Sequence, residues 1–250
     1  MSAPAGLPPL SANAWLRWDV VSRMLPPHAR DVLEVGCGQG GFGTRLATRY
    51  RYVGIDLDES SAEVARARLA ALGPAASGEI RDGDLSVLAP DERFDVVCAF
   101  EVLEHIEDDR AALLEWSQRL RPGGWLLLST PASQHRFGPF DEIVGHFRRY
   151  EPAALAGLLT EVGLVDPQVT SFGMPLGYVL EAGRNAVGRR RLARVEGTAM
   201  MTRSQGSGRL LQPNGRAAGT AMRLGTLPFR AAQRAFPHRG TGLVARARRP

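Results

Sequence analysis

The chain has 250 residues, 44% hydrophobic and 23% charged, with a formal charge of +5; this suffices for one large core, or one domain with a sizeable insertion. No apolar run approaches the ~20 residues of a membrane-spanning helix, and the opening "MSAPAGLPPL" lacks the basic-then-apolar pattern of a signal peptide. Every basic residue is arginine, and 15 of them lie from Glu181 onward against two glutamates, so a segment of charge +13 is joined to a body of −8.

Strands and helices are expected to alternate, the pattern of a largely parallel sheet covered on both faces. "DVLEVG" from Asp31 reads as the first strand, followed by a glycine turn and a helix containing "TRLATR". "YRYVGIDL" is a second strand closing on Asp56, and "SSAEVARARLAAL" a helix capped by Ser60 or Ser61 and stopped at Gly73–Pro74. "GEIRDGD" is a short third strand, and "RFDVVCAF", nearly all apolar, a fourth that is buried on both faces. "DDRAALLEWSQRL" is a helix ended by "RPGG", "WLLLSTP" the fifth strand, and "EPAALAGLLTEVG" a helix with Pro152 in its first turn. In "LVDPQVTSF" Pro167 points to a sixth strand at an edge. "PLGYVLEAGRNAVGRRRL" then sets Leu176, Val179, Leu180 and Val187 at helical spacing beside Arg184 and Arg189–Arg191. "RSQGSGRLLQPNGRAAG" reads as a loop, "LPFRAAQRAFP" as a short helix and "TGLVARAR" as a last strand. Cys37 and Cys98 are expected to be reduced thiols.

The turn "GCGQGG" has a physical use. Gly36, Gly38 and Gly40 allow backbone to approach a ligand where a Cβ would clash, and the following helix end offers free N–H donors. Asp56, 20 residues after Gly36, can accept both ribose hydroxyls of either a dinucleotide or an adenosine cofactor. Glu34 discriminates between them: a carboxylate beside the turn repels a pyrophosphate and favours a ligand carrying ammonium and sulfonium groups.

The segments "LEVGCGQG", "YVGIDLD", "RDGDL", "FDVVCAFEVLEHIED" and "LRPGGWLLLSTP", in this order, resemble class I S-adenosylmethionine (SAM)-dependent methyltransferases, in particular the ubiquinone-biosynthesis O-methyltransferase and small-molecule group. The resemblance implies an α/β, Rossmann-like, doubly wound sheet of seven strands, mostly parallel, with an antiparallel last strand preceded by a helical insertion. The expected organisation is an N-terminal helix or lid over residues 1–29, a SAM-binding core over 30–172 and 241–250, and an Arg-rich helical insertion over 173–240. Gly36 and Gly38 would pack against the methionine part and the ribose, Asp56 would hold the ribose hydroxyls and Leu57 would lie against adenine. Asp84 would accept from the adenine amino group with Leu85 alongside, and Phe100 and Glu101 would line the methionine end. The triplet Glu101, Glu104 and His105 is similar to one that binds a divalent metal (Mg, Mn or Zn) in the ubiquinone enzymes; in other relatives the histidine only orders a loop. The fourth strand ends in "FEVLEH" and not in the D/N-P-P-Y/F pattern of base methyltransferases, which sets nucleic-acid bases aside as acceptors.

"PASQHRFGPFDEIVGHFRRYEP" crowds His135, Asp141, Glu142, His146, Arg148, Arg149 and Tyr150 into one loop on the expected substrate side. His146 is a candidate general base, since an imidazole titrates near neutrality, with His105 as a second catalytic candidate; the other reading is that His146 and Tyr150 pin the loop. Trp15 and Trp18, one helical turn apart, form a lid or pack on the sheet. The reaction expected is methyl transfer to a small or lipid-like acceptor, with oxygen as the favoured nucleophile. The Arg-rich segment suggests an anionic partner: a phosphorylated substrate, nucleic acid, or the inner face of a membrane touched peripherally by a cytoplasmic protein. Two other classes compete: an NAD-dependent oxidoreductase, opposed by Glu34 and "FEVLEHIED", and a non-catalytic nucleic-acid-binding protein with a vestigial cofactor site, which would lack the usual interleaved aromatics.

Overall fold

The structure, a computed structural model, describes residues 6–192 and 215–250. Its sheet contains β1 (Asp31–Val35), β2 (Arg51–Asp56), β3 (Ser77–Asp82), β4 (Phe94–Phe100), β5 (Leu120–Pro131), β6 (Val165–Gly173) and β7 (Gly240–Arg248), ordered β3-β2-β1-β4-β5-β7-β6. The pairs from β3 through β5 are parallel, and β7 runs antiparallel between β5 and β6. This is the α/β architecture expected, with the last strand inserted rather than appended. β6 is the edge strand, and its ladder to β7 skips between Val165 and Gln168, around Pro167, which has no N–H to donate.

The helices are α1 (Ala12–Met24), α2 (Gly43–Ala47), α3 (Glu59–Ala70), α4 (Asp109–Gln118), α5 (Pro139–Val144), α6 (Pro152–Glu161), α7 (Leu176–Leu192), α8 (Arg216–Gly225) and α9 (Leu227–Arg234). Alternation along the strands sorts the apolar side chains into two cores. Leu126 and Leu128 join Leu113 and Leu155 beneath α4 and α6, while Leu127 joins Leu16, Val21 and Leu46 beneath α1 and α2. Both cysteines are free and buried.

Three local expectations change. The cap of α3 is Asp58, whose carboxylate accepts from the hydroxyls of Ser60 and Ser61, so the helix starts one residue before Ser60. β5 begins at Leu120 because that residue already pairs with Phe94 of β4, ahead of the "RPGG" irregularity. Of the expected loop over 203–219, residues to 214 lie outside those described, and Arg216–Gly219 belong to α8.

α7 has an inverted character. Gly177, Glu181 and Gly188 are its buried positions, Gly188 meeting the backbone of α5 at Pro139 and Phe140, whereas Val179 and Val187 are 68% and 45% exposed. Its inward face is small and ionic, its outward face partly apolar. The four apolar positions read from the sequence do not form one buried stripe, because the partner on the inside is a charge network and not a core.

Candidate functional site

The strand order reverses between β1 and β4, and the carboxyl ends of these strands form a crevice where a ligand is expected in such sheets. The turn after β1 is shaped for close approach. Gly36 adopts φ +69°, and a Cβ there would meet Val102 Cγ2 at 2.6 Å; Gly38 adopts φ +52°, and a Cβ there would meet nothing within 4 Å. Protein atoms therefore exclude a side chain at Gly36, while at Gly38 the space is open to a ligand. Asp56 braces this turn, accepting from Gly38 N–H at 2.6 Å and Asp58 N–H at 2.9 Å. Burial raises the Asp56 carboxyl above its ordinary value. Leu57 beside it is 81% exposed, Asp84 is exposed and accepts from Ser86 N–H at 2.8 Å, and Leu85 is buried in the core. Gly40 sits on the far side of the turn, against Ala65 of α3. A Gly38→Ala substitution adds ~1–2 kcal/mol of left-handed strain but fills the space a ligand needs. Its melting temperature should fall by a few degrees while S-adenosylhomocysteine (SAH) affinity falls by about tenfold or more, because the backbone can no longer be approached.

Glu34 lies beneath the turn rather than in it. It is 3% exposed and accepts from Tyr52 Oη at 2.6 Å, and burial pushes its carboxyl up to about 8. In the folded chain it holds its proton near neutrality, whereas in the unfolded chain it ionises near the usual carboxylate value. The unfolded state therefore binds fewer protons between about pH 4.5 and 8, and stability falls as pH rises through that window. Glu34→Gln should give a shallower decline of melting temperature from pH 5 to 8 than the parent chain; an unchanged slope would show that Glu34 is ionised in the fold.

At the end of β4, Glu101 is held in a left-handed conformation, φ +58°, rare for a residue with a Cβ and of a kind that gathers at functional sites. Its N–H donates to the Ser129 carbonyl at 2.9 Å, and its carboxylate accepts from Ser129 Oγ at 3.1 Å and pairs with Arg17 at 2.9 Å. Arg17 reaches in from α1 across the ring of Phe42, which makes edge contacts with Phe100 and Trp18. Burial lowers the Arg17 guanidinium to about 10. Trp18 packs in the core, and Trp15 lies beneath the guanidiniums of Arg45, Arg223 and Arg230, tying α1 to α2, α8 and α9. Arg17 was missed from sequence; a single basic residue in an amphipathic helix gives no sign of where it reaches.

The loop after β5 is organised by Asp141. The main chain turns at Gly145, φ +77°, and brings His146 back so that its Nδ1 lies 2.7 Å from Asp141 Oδ1. The same carboxylate accepts from Gly138 N–H at 2.9 Å and from Arg149 at 2.7 and 3.0 Å. Burial works to raise Asp141, but His146 and Arg149 outweigh it and hold the group at about 2. Arg149 also pairs with Glu181 of α7, which takes Arg136 as well. A carboxylate can only accept, so Nδ1 of His146 carries the hydrogen and Nε2 is left with its lone pair. Tyr150 and Arg148 both bond Asp109, at 2.8 Å, and pin the loop to α4; His135 is at the surface near Glu151.

Glu104 and His105 occupy the short turn Leu103–His105. Glu104 is fully buried with no hydrogen-bond partner for either carboxylate oxygen, 3.9 Å from His146 Nε2, and burial pushes it up to about 8. The His105 ring stands edge-on to His146 at 4.6 Å; burial, aided by His146, lowers it to about 4. The triplet Glu101, Glu104 and His105 does not assemble as a metal site. Glu101 is committed to Arg17 and Ser129, and the ligand atoms that converge, within 4.8 Å, belong to Glu104, His105 and His146.

The comparisons agree with this geometry. A family model described as "Methyltransferase domain" matches residues 13–169. A Mycolicibacterium smegmatis protein named as an S-adenosylmethionine-dependent methyltransferase is 37% identical over 161 residues, covering 60% of this chain and 59% of that protein. A ubiquinone biosynthesis O-methyltransferase of Thiobacillus denitrificans is 29% identical over 62% of this chain and 72% of its own length. The chain thus spans less than two thirds of the mycobacterial relative. Among solved structures, the YcgJ protein of Bacillus subtilis superposes with a TM-score of 0.60 at 15% identity, covering 95% of this chain and 99% of its own. The N-methyltransferase NodS of Bradyrhizobium japonicum, solved with SAH, gives 0.54 at 18% identity, covering 96% and 85%; both show the shared fold. With a family match spanning the glycine turn, the carboxylate that braces it and the His146 loop, the chain belongs to the methyltransferase domain family.

Proposed function

We propose that this chain transfers the methyl group of SAM to a hydroxyl of a small or lipid-linked molecule, with His146 as proton acceptor. The observation that carries the reading is the Asp141–His146 pair, which leaves the other nitrogen of a half-buried imidazole free to accept beside the turn that follows β4. Asp56 would hold the ribose hydroxyls, Leu57 and the Asp84 turn the adenine, and Gly36, Gly38 and Gly40 the approach to the ribose and methionine parts. The Arg17–Glu101 pair matches the zwitterionic end of the cofactor, guanidinium to carboxylate and carboxylate to ammonium. Bound there, SAM supplies a methyl carbon whose bond to sulfur breaks, the electron pair staying on sulfur, as the acceptor oxygen bonds to it. His146 Nε2 takes the hydroxyl proton, and Asp141 stabilises the imidazolium that results. Holding oxygen, methyl and sulfur in line would supply much of the rate gain in such a transfer.

A panel of hydroxylated acceptors, scored by SAH release, tests this reading. Turnover with a phenol or alcohol but none with its O-methyl ether is the expected result; turnover confined to amines would displace oxygen as the nucleophile. The proton-accepting role of His146 and its support by Asp141 need no metal, so EDTA should leave turnover within about twofold. Activity lost to EDTA and restored by Mg²⁺, Mn²⁺ or Zn²⁺ would seat the ion at Glu104, His105 and His146, and would remove His146 from the role of base.

Peripheral contact with anionic lipid is the second part of the reading. No helix among the described residues is long and apolar enough to cross a membrane. Instead, Val179, Val187, Leu224, Leu227 and Phe236 are exposed, and residues 215–250 contain eight arginines and no acid. Co-sedimentation with phosphatidylglycerol vesicles, lost on Leu224→Ser with Leu227→Ser, is expected; no sedimentation of the parent chain would end this reading.

A further inference from the structure

A charge inventory of the crevice leaves one cation over. Four arginines surround it: Arg17 on α1, Arg136 and Arg149 on the loop after β5, and Arg184 on α7. The carboxylates are all taken. Glu101 pairs with Arg17, Asp141 with Arg149 and His146, and Glu181 with Arg136 and Arg149. Glu104, the remaining acid nearby, is pushed up to about 8 by burial and offers no charge at neutral pH.

Arg184 pairs with no carboxylate among the described residues. Its guanidinium lies over the Phe140 ring at 5.2 Å, and its Nε is buried with no hydrogen-bond partner. The Arg17 Nε is also buried and unpartnered. α1 and α7 pack together, and the two guanidiniums repel one another, with Arg184 lowering Arg17 and burial lowering both. A half-desolvated guanidinium with no ion pair of its own is costly unless it receives an anion. Glu181 and Asp141 raise Arg184 and Arg149 lowers it, and the Phe140 ring beneath its guanidinium immediately precedes Asp141, so Arg184 stands beside the loop that holds His146. The planar fork of arginine matches a phosphate or carboxylate in two parallel hydrogen bonds.

We propose that Arg184 forms a subsite for a phosphate or carboxylate group carried by the methyl acceptor. The proposal rests on the methyltransferase reading, because it assigns the acceptor's anionic end to α7, beside the loop that carries His146. The acceptor is therefore an anionic hydroxyl compound, held by its charge while its oxygen faces His146. Asn185, next to Arg184, spends its side-chain oxygen on Phe140 N–H at 3.3 Å and so stiffens the platform on which the guanidinium rests.

Inorganic phosphate titrated into the SAH-saturated chain, followed by ³¹P line width, is the test. Saturable millimolar binding is expected, weakened about tenfold or more in Arg184→Met, which keeps the stem over Phe140 and removes the charge. Arg189→Gln, an exposed arginine on the same helix, should bind as the parent does. SAH affinity, measured on the same samples, should be unchanged in both variants. No saturable phosphate binding, or equal weakening by Arg189→Gln, would overturn the subsite while leaving the cofactor reading standing. Failure of the parent chain to bind SAH would overturn both. Phosphatidylglycerol vesicles in a parallel arm identify the source: displacement of phosphate supports the subsite with a lipid headgroup as its ligand, and no displacement supports it with a soluble anion.

Discussion

Replacing His146 with alanine should lower kcat by about 10²–10⁴-fold, the range a positioned base contributes, while leaving SAH affinity within about twofold. The reason lies in how the imidazole is held. Asp141 takes its Nδ1 hydrogen at 2.7 Å, Glu104 lies 3.9 Å from Nε2, and His105 stands against its face at 4.6 Å. Nothing in this arrangement touches the glycine turn, so the loss should be confined to turnover. Asp141→Asn would let the ring take the other tautomer and weaken the buried pair with Arg149, so an intermediate loss of turnover should come with a lowered melting temperature. Initial rates of SAH release with the acceptor found in the panel decide the matter. A kcat for His146→Ala within threefold of the parent would reduce His146 to a loop-ordering residue.

Arg149→Met should destabilise the fold by about 3–5 kcal/mol, the cost of breaking a buried pair by removing one partner. Arg149 is 7% exposed and joins two buried carboxylates, Asp141 at 2.7 Å and Glu181. Methionine fills similar volume but leaves Asp141 with His146 and Gly138 N–H, and Glu181 with Arg136. For a chain of this size the melting temperature should drop by roughly 10 °C or more. Because Asp141 positions His146, turnover should fall as well, even below the melting transition. A drop of less than ~2 °C would mean that the network is loosely solvated and does not organise the loop.

Much of the fold was legible because its signals are local. An all-apolar "FDVVCAF" is a central strand, Pro167 marks an edge, and Asp56 lies at the end of β2 where a carboxylate can brace the glycine turn. What failed to show was tertiary. Glu101 and Glu104 stand three apart, a spacing that shares a face in a helix, but Glu101 sits at φ +58° before the turn begins, so the two carboxylates part company. His146, 41 positions beyond His105 in the chain, comes to the Glu104 cluster only through the reversal at Gly145. α7 carries Val179 and Val187 outward because Glu181, on its inner face, belongs to a network assembled from Arg136, Asp141 and Arg149, which no periodicity reveals. Glu34 is a related case. Its carboxyl, raised by burial, repels a pyrophosphate less than the bare sequence suggests.

Calorimetric titration of the purified chain with SAH, run against NADH and repeated with Asp56→Ala, tests the central claim most directly. The account predicts micromolar SAH binding, no NADH binding, and an affinity for SAH lowered about 10- to 100-fold in the variant, through lost charge-assisted hydrogen bonds to the ribose and lost bracing of Gly38. NADH binding without SAH binding, or SAH binding indifferent to Asp56, would contradict it.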